Sequence, residues 1–182
     1  DVFEDMNSKE PMDRLISGDV GFGKTEVAIR AMFKAFLSNK VSVLLCPTTI
    51  LADQHFITCK ERLSQFDVSI SLLSRFKTKK EQLNVLSSVK LGRVDILIGT
   101  HRLLSKDVKI SNLGLLVIDE EHRFGVNHKE KIRSIKNNVD VLTLTATPIP
   151  RTLQQSLIGL RSLSTINTPP LSRKPILTFI KY

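Results

Sequence analysis

The chain has 182 residues, 41% of them hydrophobic and 25% charged, with a formal net charge of +9. This is enough chain for one domain with its own core, and the composition is not that of a disordered segment. No apolar run approaches the ~20 residues that span a bilayer, no basic start followed by an apolar block marks a secretion signal, and two cysteines make no disulfide framework.

A reducing, cytoplasmic setting is therefore expected. The positive balance favours a polyanionic partner, although the lysines are scattered and form no basic tail. The chain lacks an initiator Met, so a piece of a longer protein is expected.

In chain order, RLIS (14–17) reads as a first strand and is followed by GDVGFGKT, residues 18–25. Gly18, Gly23, Lys24 and Thr25 match the phosphate-loop pattern G-x-x-x-x-G-K-[ST]. Glycine permits positive φ and brings backbone N–H groups close to phosphates. Gly18, Asp19, Val20, Gly21, Phe22, Gly23, Lys24 and Thr25 thus form a candidate nucleotide cradle. Lys24 would reach the β- and γ-phosphates, and the Thr25 hydroxyl would ligate Mg²⁺. Apolar residues at 27, 28, 31, 32, 35 and 36 form one stripe of a helix over Thr25–Leu37.

VSVLLC (41–46) is the second expected strand, with Cys46 as a small buried hydrophobe. PTTILADQH follows, and Thr48 and Thr49 stand where a helix over Ile50–Phe66 begins, a place that binds phosphate or simply caps the helix. VSISLL (68–73) is a third strand, ending in SRF with Arg75, before a helix over Lys79–Leu91. VDILIG (94–99) is the fourth and ends in GTHRLL, which offers Thr100, His101 and Arg102. Two threonine turns and two arginines on one rim would make a track for a nucleic-acid backbone.

LGLLVID (113–119) is the fifth strand and ends in DEEH. Asp119 suits Mg²⁺ through a water, and Glu120 is placed to orient or deprotonate an attacking water. His122 and His128 lack a third ligand at zinc spacing, so a hydrogen-bonding role is expected for His122. After a short helix over Lys129–Lys136, VDVLTLT (139–145) is the sixth strand. Its end, TLTATPIPRT, sets Thr145 and Thr147 next to DEEH, and Pro148 and Pro150 stiffen the turn. Residues 168–175 read as a domain edge, and 176–182 as a last strand or the start of a linker.

Strand and helix alternate, which predicts a single α/β domain over 1–182 with a mostly parallel central sheet and helices on both faces. In such sheets ligands sit beyond the carboxyl ends of the strands.

The strand-end motifs, in this order, resemble the first motor domain of superfamily 2 helicases and translocases. GDVGFGKT resembles motif I, PTTILADQH motif Ia, GTHRLL motif Ib, DEEH motif II and TATPIPRT motif III. PMDRLISGDVGFGKTEVA, LLSRF, DEEHRFGVNHKE and LTLTATPIPRTL are similar to the bacterial transcription-repair coupling factors, with the RecG branch-migration helicases as the nearest relatives. Phe22, Glu121, Arg75-Phe76 and His128-Lys129-Glu130 favour the former, and Cys46 stands where that family tends to have Val.

The resemblance implies a RecA-like domain that binds ATP and Mg²⁺ through Gly21, Gly23, Lys24, Thr25 and Asp119, with Glu120 as base. His122, Thr145 and Thr147 would couple nucleotide state to DNA grip, and Thr48, Thr49, Thr100 and His101 would touch the DNA backbone. The implied partners are double-stranded DNA and a second RecA-like domain of the same protein. RNA polymerase and an excision-repair protein would be reached through modules outside this chain. That second domain carries arginine fingers, typically worth about 10³–10⁵ in rate. These residues alone are thus expected to bind nucleotide weakly and turn it over poorly. Branched-DNA remodelling, or a nucleotide-dependent DNA-binding module without turnover, are the alternative readings.

Overall fold

The structure, a computed structural model, describes residues 1–136, 138–147 and 161–170. Its elements in chain order are α1 (Val2–Asp5), β1 (Asp13–Gly18), α2 (Lys24–Leu37), β2 (Val41–Leu45), α3 (Thr49–Arg62), β3 (Ile70–Leu73), α4 (Lys79–Lys90), β4 (Ile96–Gly99), β5 (Leu113–Asp119), α5 (Val126–Lys136), β6 (Asp140–Thr145) and β7 (Ser162–Ile166). Short 3₁₀ turns cover His101–Leu104 and Glu121–Arg123. The turn expected at Pro148 and Pro150 and the strand or linker expected over 176–182 lie outside the described residues. So does the expected domain edge beyond residue 170.

The seven described strands form one sheet in the order β3-β4-β2-β5-β6-β1-β7, and every pairing is parallel. Both faces are covered, as a parallel sheet requires. On one face α2 and α3 pack through Ala28, Met32, Ala52 and Cys59 onto Ile16, Leu44, Val117 and Leu142. On the other, Val89 of α4 and Ile132 of α5 join Val43, Leu97, Leu116 and Val141. Cys46 and Cys59 are free and fully buried, and burial pushes the Cys59 thiol up to about 12. No helix among the described residues is long and apolar enough to cross a membrane.

The expected strands and helices are present, with shifted ends. Strand β3 starts at Ile70 and β4 at Ile96, where Ser69 and Asp95 exchange hydrogen bonds below both: Ser69 N–H donates to the Asp95 carboxylate and Asp95 N–H to the Ser69 carbonyl. Helix α3 stops at Arg62 rather than Phe66, and Phe66 turns back to pack its ring 4.5 Å from that of Phe33 on α2. Helix α5 starts three residues early, where the His128 and Lys129 amides both reach the Gly125 carbonyl. Helix α4 is opened by a capping box in which Thr78 and Glu81 satisfy each other's backbone amides.

Strand β7 has no counterpart among the expected elements. SLSTI alternates and stays half-exposed at the sheet edge, so it lacks the continuous apolar run that marks the central strands. It pairs with β1 from Arg14–Ser162 to Gly18–Ile166.

Gly99 closes β4 opposite Leu73, and a Cβ there would overlap the Leu73 carbonyl oxygen and stand 3.1 Å from Leu103 Cγ. Gly99→Ala is expected to destabilise the fold by about 1–3 kcal/mol, read as a lower urea midpoint at unchanged m.

Candidate nucleotide and nucleic-acid site

Because all strands run the same way, the ends of β1, β5 and β6 open on one edge. The order β5-β6-β1 sets the β1 and β5 ends two inter-strand spacings apart, about 10 Å. Gly18 ends β1, and a side chain there would press on β7, with Ile166 Cβ at 3.1 Å and its carbonyl oxygen at 3.2 Å. The loop turns through Gly21 (φ 78°) and Gly23 (φ 87°), the latter serving as the N-cap of α2. Both angles are left-handed and suit glycine. The Phe22 amide donates to the Asp19 carbonyl at 3.2 Å, and the Val20 amide to the Asp19 carboxylate at 3.1 Å. Lys24 Nζ curls into this loop and donates to the Gly18 and Asp19 carbonyls at 2.6 and 2.9 Å. Thr25 follows it in the first turn of α2. The loop therefore combines left-handed glycine turns, an ammonium and a helix N-terminus, a combination suited to polyphosphate.

Asp119 ends β5, and its carboxylate accepts from His55 Nε2 at 3.0 Å. The hydroxyl of Thr25 and the carboxylate of Asp119 are hard oxygen donors that fit Mg²⁺, which takes one or two protein oxygens and fills the rest with phosphate and water. Among the described residues no group of three or more His, Cys, Asp or Glu forms an all-protein metal cage.

Glu120 sits in the left-handed region at φ 52°, ψ 58°, and opens the 3₁₀ turn of DEEH. Its own amide donates to Leu144 O at 2.9 Å, continuing the β5–β6 ladder by one bond. One carboxylate oxygen accepts from the Ala146 amide at 2.8 Å. The other lies 3.4 Å from Thr145 Oγ1 and 3.2 Å from His122 Nδ1. Thr145 and Thr147 hydroxyls are 3.0 Å apart, and the Thr147 amide donates to Thr145 Oγ1. Glu120, Thr145 and Thr147 thus meet in one hydrogen-bonded group across two strand ends, with the half-exposed His122 ring beside the Glu120 carboxylate. His128 does not join His122; its ring lies 5.3 Å from that of His101.

Two participants escaped the sequence reading. His55 lies on the buried stripe of α3 with Thr49, Ala52 and Cys59, and that helical spacing was its signal. Arg161 bonds Glu121 Oε2 at 3.1 Å and also donates to Thr143 Oγ1, and its Nε is 2.7 Å from Asp13 Oδ1. That last contact is a close ion pair whose N–H is poorly aligned for a hydrogen bond. Lys136 adds contacts to Asp13 at 3.3 Å and Glu121 at 3.8 Å. Nothing local in RSLS marks Arg161; only the placement of β7 brings it to DEEH.

The expected nucleic-acid residues divide. Thr48 is exposed and caps α3, its hydroxyl accepting from the Leu51 amide at 3.2 Å. Thr49 and Thr100 are buried. Arg102 is held by both carboxylate oxygens of Asp107, at 2.8 and 2.6 Å, and by Gln82 at 3.3 Å. Arg75 is exposed, with its guanidinium 5.8 Å from the Phe76 ring centre. His101 is exposed beside His128, and its imidazole is pushed below the ordinary value by burial first, then by His128 and Arg75.

A DEAD/DEAH box helicase family model matches residues 2–156. The transcription-repair-coupling factor of Bacillus subtilis is 61% identical over 180 residues, and that of Staphylococcus aureus strain USA300 is 57% identical. Each alignment covers 99% of this chain and 15% of the relative, so the chain spans about 15% of the length of the curated relatives it matches. A solved structure of RecG bound to a three-way DNA junction superposes with TM-score 0.82 at 37% identity, covering 97% of this chain and 24% of that one.

The His101 environment has a pH signature. Its folded value lies below the ordinary 6.5, so the unfolded chain takes the proton first as pH falls. This group's contribution to stability is present above 6.5 and is lost as pH drops towards the folded value. An NMR titration is expected to place the His101 midpoint below 6.5, and His128→Ala to raise it part of the way back.

Proposed function

The chain belongs to the DEAD/DEAH box helicase family, and on that footing we propose that it is the ATP-binding half of a double-stranded DNA translocase motor. In this reading ATP hydrolysis drives the intact protein along DNA to displace stalled RNA polymerase and to recruit nucleotide excision repair. The similarity to transcription-repair-coupling factors over 99% of the chain supports that role. We place the motor in the bacterial cytoplasm, acting on the nucleoid, and read the chain as the first of two RecA-like domains.

The observation that carries the reading is the group around Glu120. A single carboxylate is held at the sheet edge by the Ala146 amide and the Thr145 hydroxyl, with the phosphate loop on the next strand but one. Held this way, Glu120 is oriented to accept a proton from a water attacking the γ-phosphate. Lys24 would leave its own loop carbonyls and bind the β- and γ-phosphates. Thr25 and Asp119 would hold Mg²⁺, which neutralises charge that develops on the phosphates.

Coupling follows from the same bonds. Thr145 and Thr147 belong to the segment that leaves β6, so a change at Glu120 is transmitted to that segment directly. On the DNA side, Arg75, His101 and the N-terminus of α3 at Thr48 are the accessible groups for phosphate contacts. Thr49 and Thr100 would contribute backbone amides, and Arg102 would have to leave Asp107 to take part.

RecG-like remodelling of branched DNA is the second reading, favoured by the superposition on RecG. A preference of the intact protein for forks over linear duplex would select it.

In the intact protein, Lys24→Ala is expected to abolish ATP binding without unfolding, and Glu120→Gln to keep binding while lowering turnover by about 10²–10⁴-fold. DNA-stimulated hydrolysis assays and nucleotide titrations read both. Wild-type turnover in Glu120→Gln would overturn its role as base.

A further inference from the structure

We propose that His55 is a positioning residue for the metal site: it holds the Asp119 carboxylate in the orientation that binds the nucleotide's divalent cation. The proposal rests on reading Asp119 as the metal carboxylate. His55 projects from the buried stripe of α3, where its companions Thr49, Ala52 and Cys59 pack against the sheet. Its side chain is 11% exposed and that of Asp119 13%, so the pair is largely shielded from water. Nε2 lies 3.0 Å from Oδ2. A deprotonated carboxylate only accepts, so Nε2–H is the donor.

A carboxylate at the tip of an apolar strand loses much of its hydration and needs donors to replace it. His55 supplies one from the helix side, on one carboxylate oxygen, and so offers the second oxygen to the ion and its waters. Metal-bound carboxylates are commonly oriented by such an outer partner, and removing that partner typically costs about 10–100-fold in metal affinity or activity. The charge of Asp119 is also felt at buried Cys46, where it adds to burial in raising the thiol. His55 also lies two helical turns from Thr48, so it ties the metal carboxylate to the helix that starts at the proposed DNA edge.

The test measures Mn²⁺ affinity by electron paramagnetic resonance, in the intact protein saturated with a non-hydrolysable ATP analogue. His55→Ala is expected to weaken Mn²⁺ binding roughly 10–100-fold and to leave metal-free nucleotide binding in EDTA unchanged. His55→Gln, which keeps an N–H donor, is expected to restore much of the loss. His55→Phe, which fills the space without a donor, is expected to behave as His55→Ala, so a folding defect in the alanine variant leaves the comparison intact. In an Asp119→Asn background, His55→Ala is expected to add no further loss of Mn²⁺ affinity, whereas a merely structural role would still add one. Wild-type Mn²⁺ affinity in His55→Phe, alongside weakened binding in Asp119→Asn, would overturn the positioning role alone. Unchanged affinity in Asp119→Asn would overturn the metal-site reading beneath it.

Discussion

Parallel pairing of β5, β6 and β1 is the constraint on which the site depends. Asp119 is in register with Leu144, and Ser17 with Thr145, so three strands deliver their last residues to one edge at nearly the same height. Both faces of the sheet are covered by helices, and polar side chains find room chiefly where the strands stop. The glycine loop after β1, the two acidic residues and the threonine turn are thus neighbours because apolar strands end together. Any slip of β6 by one residue would turn Thr145 to the opposite face and break its contact with Glu120.

Glu120 occupies a backbone conformation that costs a non-glycine residue on the order of 1–3 kcal/mol. The surrounding contacts hold it there. Its amide extends the sheet ladder, its carboxylate takes the Ala146 amide, and the next residue is anchored by charge. Glu121 meets Arg161 and Lys136, which also meet Asp13 at the start of β1. Paired charges with little exposure are weak sources of net stability, but removing one partner leaves the others costly to keep. The effect is to fix the turn that aims Glu120.

The basic character of the chain is partly spent within it. Arg102, Arg14 and Arg62 are each bound to carboxylates, so they contribute less to an anion-binding surface than a count of charges suggests. Arg75 and the His101–His128 pair remain at the rim. Partial burial first, and then their closeness, lowers the proton affinity of His101, which keeps that imidazole neutral over more of the physiological range and leaves Arg75 as the fixed charge there.

Periodicity and punctuation in the sequence were sufficient to determine the central strands and the main helices. Continuous Val/Ile/Leu runs bounded by Gly, Thr and Asp report local preferences that the fold does not override. The phosphate-loop spacing and DEEH were legible for the same reason, since each is a contiguous stretch whose chemistry needs its own neighbours. Only the tertiary structure decided what crosses between elements. It placed β7, whose half-exposed pattern has no strong signal, against Gly18. It brought Arg161 to Glu121 and His55 to Asp119, contacts between residues 40 and 64 positions apart. It also buried Thr49 and Thr100 and fastened Arg102 to Asp107. A residue type states which bonds it can form, but the partner that takes them is set by how the chain packs.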